Sequence, residues 1–143
     1  MLQRLLQILI DETRNCQKEN AKDMPNNNID LTSINIPDEQ QRLMTTARTA
    51  HARRAGRTLY HGDGLRQTMV ALLNGTELAE HESPLEAFFH VLQGEVVIHG
   101  DNRQWQIAAG QLLPVPPERH SVTALKDSVI TLTVLRDVTV YRS

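Results

Sequence analysis

The apolar positions divide the chain into two unlike stretches. In the first, Leu2, Leu5, Leu6, Leu9 and Ile10 recur at the spacing of one helix face. Gln7 interrupts the run, Asp11 and Glu12 follow at once, and no small-residue cleavage site appears, so a secretory signal is a poor reading. The spacing predicts a helix within residues 1–22 that packs on the rest of the chain or on a partner subunit. Residues 23–36, rich in Asn, Asp and Ser, read as a linker. A second helix is predicted from Pro37 to about Arg54, with Asp38 and Glu39 in its favourable first turn and Leu43, Ala47, Ala50 and Ala55 on its packed side. Gly56 is its expected stop.

From Leu59 the period changes. Short apolar runs at 57–61, 65–73, 76–80, 86–92, 94–99, 103–107, 111–115, 120–125, 128–135 and 137–141 alternate with turn residues such as Asn74-Gly75, Gln93-Gly94 and Gly100-Asp101-Asn102. Many short strands at regular spacing predict a sandwich or closed barrel. The run from Ser128 to Leu135 alternates only weakly, as expected of a strand covered on both faces. Pro114, Pro116 and Pro117 cannot donate ladder hydrogen bonds and are expected at a rim. The domain organisation read from this is a helical arm and linker over 1–57 and a β-barrel domain over 58–143.

Composition sharpens the division. The 143 residues carry a net charge of −2, but the first 57 hold nine Lys+Arg against seven Asp+Glu, and the remainder hold six against ten. All the aromatic residues lie in the second stretch. A near-neutral total argues against a general nucleic-acid binder. Cys16, the only cysteine, permits no internal disulfide, which points to a reducing, cytoplasmic setting. No apolar stretch approaches the ~20 residues that span a bilayer. Arg42, Arg48, Arg53, Arg54 and Arg57 fall in a run without an acid. They read as a solvated helix face or, less simply, as an interaction module on a helix over 42–57.

Two of the six histidines attract attention. His81 precedes Ser83-Pro84 and His120 follows Pro116-Pro117. Each adjoins a proline-marked turn at a strand end, where two strands of a barrel can bring both imidazoles to its mouth. His51 and His61 are expected to be exposed. Arg66 and Gln67 open a mostly apolar strand and must face opposite sides. Inside a barrel, Arg66 would suit a carboxylate or phosphate, and Gln67 would offer a donor and an acceptor. Phe89 shares parity with Ala87 and Val91, the expected interior set, while Phe88 and His90 would face out.

At this point the sequence resembles the cupins, a family of small jelly-roll barrels. Gly75, five residues, His81-Glu82-Ser83 and the closing Gly94 are similar to the first cupin motif; Gly110, five residues, Pro116-Pro117-Glu118-Arg119-His120 are similar to the second. The resemblance implies a mainly β fold preceded by helical segments, a homodimer whose outer faces include Phe88, and a small-molecule ligand. Metal-binding cupins use three histidines and a glutamate. Here Ser83 stands at the second His position, Ala87 at the Glu position, and Glu118 at the second motif's Gly, with His120 one residue early. The implied reading is a binding or sensing cupin with a degenerate metal site. Its pocket would be lined by Arg66, Gln67, His81, Ser83, Phe89 and His120. Any Zn, Fe, Mn or Ni would be held weakly by His81 and His120, with Glu86, Glu82 or Gln67 as additions. The alternative is a cupin enzyme of isomerase, epimerase or dioxygenase type that uses His81 and His120 as its catalytic groups.

Overall fold

The computed structural model describes residues 31–81 and 86–135. The expected helix within 1–22, most of the linker, Glu82, Ser83 and the run 137–141 lie outside the described residues.

Asn35 starts the one described helix, α1 (Ile36–Thr49): its side-chain oxygen accepts from the Asp38 amide at 3.0 Å, and Pro37 occupies the first turn. Nine described strands follow: β1 (Arg54–His61), β2 (Leu65–Leu72), β3 (Glu77–His81), β4 (Ala87–Gln93), β5 (Glu95–His99), β6 (Gln104–Ala108), β7 (Leu112–Pro114), β8 (His120–Ala124) and β9 (Ser128–Leu135). They form two antiparallel sheets, ordered β1-β2-β9-β4-β7 and β3-β8-β5-β6. The expected runs between 57 and 135 therefore recur as strands, within a few residues at their ends.

Strand parity assigns each face. On the five-stranded sheet, Val70, Leu72, Phe89, Val91, Ile130, Leu132 and Val134 point inward. They meet Leu78, Val96, Ile98, Ile107, Val122 and Ala124 of the other sheet in one buried cluster. On the outer face, Met69, Ala71, Leu73 and Val129 pack beneath Leu43, Met44 and Ala47 of α1. Burying a side chain the size of Leu43 is worth about 1.5–3 kcal/mol, so α1 is a structural cover for the sheet. Residues 128–134 are all buried, as the weak alternation implied. The outer side of β9 is covered in part by α1, through Val129.

The helix ends earlier than its pattern indicated. Ala50 turns extended, Arg53 adopts a φ of 59°, and Arg54 already pairs with Leu72 on β2. Pairing of 54–58 along β2 takes this segment into a strand before the expected stop at Gly56, and Ala55 enters the cluster under α1 from a strand instead. An Arg-rich helix over 42–57 is thereby replaced by two helical arginines, one in a turn and two on β1. Arg57 reaches the buried Glu39 across the helix–sheet interface, with 2.5 Å between Nη1 and Oε1. Glu39 thus does more than complement the helix dipole: it anchors α1 to β1.

Gly94 joins β4 to β5 with a φ of +80°, and a Cβ there would fall within contact of the Asp127 carbonyl and the Ser128 side chain. A glycine is needed both for the left-handed backbone and for the closeness of the β8–β9 turn.

Candidate functional site

The register identifies which strand ends meet. His120 begins β8 opposite His81 at the end of β3, and Ser121 pairs with His99 at the end of β5. Leu65 and Arg66 of β2 lie beside Leu135 and Val134 of β9, and Ala87 of β4 pairs with Val134 as well. The tight turns at 74–75, 94 and 125–127 occupy the other end. The mouth of the barrel is thus framed by the beginnings of β2, β4 and β8 and the ends of β3 and β9.

His120 is the central described group. It is 1% exposed, and its ring meets Phe89 edge-on, with centroids 6.0 Å apart and planes at 83°. Nδ1 lies 2.8 Å from the Glu118 carbonyl oxygen. A carbonyl only accepts, so Nδ1 carries the proton and donates it, and Nε2 is the basic nitrogen. Burial holds His120 below the ordinary histidine range; the Glu118 carbonyl and carboxylate oppose that shift. The imidazole is therefore neutral near pH 7 and turned edge-on to the apolar wall of Phe89.

The loop before His120 is fastened to the β5–β6 turn. Glu118 accepts from the Asp101 amide at 2.5 Å and from Arg103 Nε at 3.0 Å, and it forms a further close ion pair with Arg103 Nη2. The Arg103 guanidinium lies over Trp105, 4.7 Å from the ring centroid. The Arg103 hydrogen bond and the Asp101 amide together hold the Glu118 carboxyl below the usual carboxylate range, and the same bond raises the Arg103 pKa. Sequence reasoning missed this cluster. The available signal was Glu118 itself, a long acid at a position where the resembling motif has none.

The other expected pocket residues separate. Arg66 shares the inward parity of Thr68, Val70 and Leu72, and its Nη2 donates to His61 Nε2 at 3.0 Å on the mouth's rim. Gln67 points the opposite way, donating from Nε2 to Thr133 Oγ1 at 3.0 Å on the outer face. Phe89 and His120 come together; His81 is brought beside His120 along the backbone. Ala87 takes the inward position and packs against the core, while its neighbour Glu86 is exposed. Among the described residues, no three His, Cys, Asp or Glu side chains come together to hold a metal ion.

Two facing antiparallel sheets, nine described strands and a mouth opened by β3 and β8 define a small cupin barrel. No family model matches the sequence, and no curated protein matches it. Solved structures carry the comparison. A conserved protein of unknown function from Streptococcus pyogenes superposes with a TM-score of 0.61 at 25% identity, over 80% of this chain and 96% of its own. A cupin superfamily protein from Desulfitobacterium hafniense gives 0.55 at 21%, over 59% and 78%. A variant of salicylate 1,2-dioxygenase from Pseudoaminobacter salicylatoxidans gives 0.58 at 18%, over 67% of this chain and 32% of that one. The chain therefore has the cupin fold. Among the described residues no helix is long and apolar enough to cross a membrane.

Proposed function

We propose that this chain is a small-molecule-binding cupin whose pocket is the barrel mouth around His120, without the full metal-ligand set of metal-binding cupins. The observation that supports it most is the state of His120: buried, neutral, and committed through Nδ1 to a backbone carbonyl beside the apolar Phe89 ring. A small ligand that presents an apolar edge to that ring and polar atoms to the rim fits such a mouth. Arg66 on the inward parity of β2 would add a cation at the rim for an acidic ligand, and His81, paired with His120 along the backbone, would complete the opposite lip. Ser83 is a further candidate for the pocket lining. A homodimer in the cytoplasm is the setting we infer for it.

The test is a ligand panel of small carboxylates, sugars and divalent Zn, Mn, Ni and Fe, read by amide chemical shifts of the full chain. The expected result is saturable shifts centred on Phe89 and His120 for an organic ligand, abolished in His120→Ala. Stoichiometric metal retained through purification and lost in a His81→Ala, His120→Ala double variant would overturn the reading. The same neutral imidazole is also suited to act as a general base near pH 7, which favours an enzyme as the second reading. That reading requires turnover that His120→Ala removes while binding of the same compound survives.

A further inference from the structure

Glu118 acts on two groups at once. Its backbone carbonyl accepts a hydrogen bond from His120 Nδ1, 2.8 Å away. Its carboxylate is tied to the β5–β6 turn by the Asp101 amide at 2.5 Å and by Arg103. Arg103 is itself laid over Trp105, and Trp105 packs against the barrel core. The turn is built for this closeness. A Cβ on Gly100 would stand 2.6 Å from Glu118 Oε2 and 3.0 Å from the Trp105 ring, so a side chain there would displace the carboxylate. A chain of contacts therefore runs from the core through Trp105, Arg103 and the Glu118 carboxylate to the Glu118 carbonyl and the His120 ring.

We propose that Glu118 and Arg103 are positioning residues that fix the tautomer and ring orientation of His120. The functional meaning rests on the reading of His120 as the working group of the pocket; the positioning itself can be measured without any ligand. A hydrogen-bonded partner on one imidazole nitrogen decides which nitrogen is basic. The carbonyl that makes that decision lies in a loop, between Pro117 and Arg119, whose irregular backbone has no strand ladder to hold it. The tether supplies that hold. It also accounts for an acid at the position where the second cupin motif has glycine: the side chain replaces backbone tightness with an ionic anchor to a neighbouring turn.

The experiment uses the uniformly 15N-labelled full chain at pH 8, where the imidazole is neutral, and reads the His120 tautomer from long-range 1H–15N correlations. The wild type should show the Nδ1–H form. Glu118→Ala and Arg103→Ala should each lower the ratio of Nδ1–H to Nε2–H by roughly fivefold or more, the ratio that one ordinary hydrogen bond carries. Glu118→Gln, which keeps an acceptor for the Asp101 amide, should retain most of the wild-type ratio. Dispersed amide spectra identify the variants that fold, and Arg103→Ala alters an exposed side chain outside the core should Glu118→Ala unfold. A His120 tautomer unchanged in folded Arg103→Ala overturns the proposal, even if the pocket binds its ligand through His120. Conversely, a tautomer that shifts as expected upholds it even if no compound in the panel binds.

Discussion

At the end of the barrel where β8 turns into β9, the Ser128 hydroxyl accepts from the Glu95 amide at 3.0 Å and donates to the Lys126 carbonyl at 2.7 Å. The Asp127 carboxylate accepts from the Asn74 amide at 2.9 Å, and the Gly75 amide donates to the Ala124 carbonyl at 2.8 Å. Backbone groups and short oxygen side chains make most of the bonds at that end, with Arg53 Nη2 adding one to the Asn74 carbonyl at 3.3 Å and Arg48 a longer ion pair to Asp127 at 4.0 Å. The opposite end is held by long ionisable side chains: Arg103 on Glu118, Arg66 on His61, and His120 on a loop carbonyl. The first chemistry suits a permanent closure, because each bond satisfies a backbone group that would otherwise be stranded. The second leaves charge and a basic nitrogen where the barrel opens. Stability and chemistry are thus assigned to opposite ends of one small core.

Substitutions can break that division if it is wrong. The largest effect is expected from Leu72→Ala. Leu72 is fully buried, pairs with Ser128 at the closed end and belongs to the interior cluster. Truncation should cost about 2–5 kcal/mol of unfolding free energy, measured by urea denaturation, while the His120 tautomer in the folded fraction stays as in the wild type. A change in tautomer would show that the two ends are coupled through the core. Gly94→Ala comes next. Its left-handed backbone alone should cost about 1–2 kcal/mol, and the contact with the Asp127 carbonyl adds to it. A loss well under 1 kcal/mol in the same titration would mean that the β4–β5 and β8–β9 turns move apart easily.

The closed end was the more legible in sequence, for the same physical reason. Asn74-Gly75, Gln93-Gly94 and Lys126-Asp127 are local signals, since a tight turn restricts the residues that form it. Alternation placed Phe89 inside correctly, because Ala87 and Val91 share its parity. Gln67 and Arg66 were less tractable. Alternation says that they oppose one another, and only the pairing of Gln67 with Thr133 and of Arg66 with Val134 says which faces in. The end of α1 was obscured because Thr49 to Arg53 carries no breaker; pairing with β2, a distant segment, decides it. His120 could be found from its proline-marked turn and its motif. The Arg103–Glu118 tether could not, because it joins two turns 15 residues apart that meet only after β5, β6 and β8 have assembled.

The smallest effect sharpens the comparison most, because it isolates the mouth by pH alone. Burial lowers the His120 pKa from the ordinary value of 6.5. The unfolded chain then binds the proton more readily than the folded one, so the stabilisation is complete above about pH 6.5 and is lost as pH falls through the folded value. Glu118 is also lowered, from 4.5, by its bonds to Arg103 and the Asp101 amide. Its contribution is complete above that value and is lost at lower pH, in a separate window. Urea midpoints taken in steps from pH 8 down to about pH 2.5 should therefore decline in two stages. His120→Gln should flatten the upper stage and leave the lower one; Glu118→Gln should do the reverse. Closed-end variants such as Gly94→Ala should lower the whole curve without changing its shape. An upper stage that persists in His120→Gln would assign the acid sensitivity to another group and remove the pH evidence for a neutral, buried imidazole at the mouth.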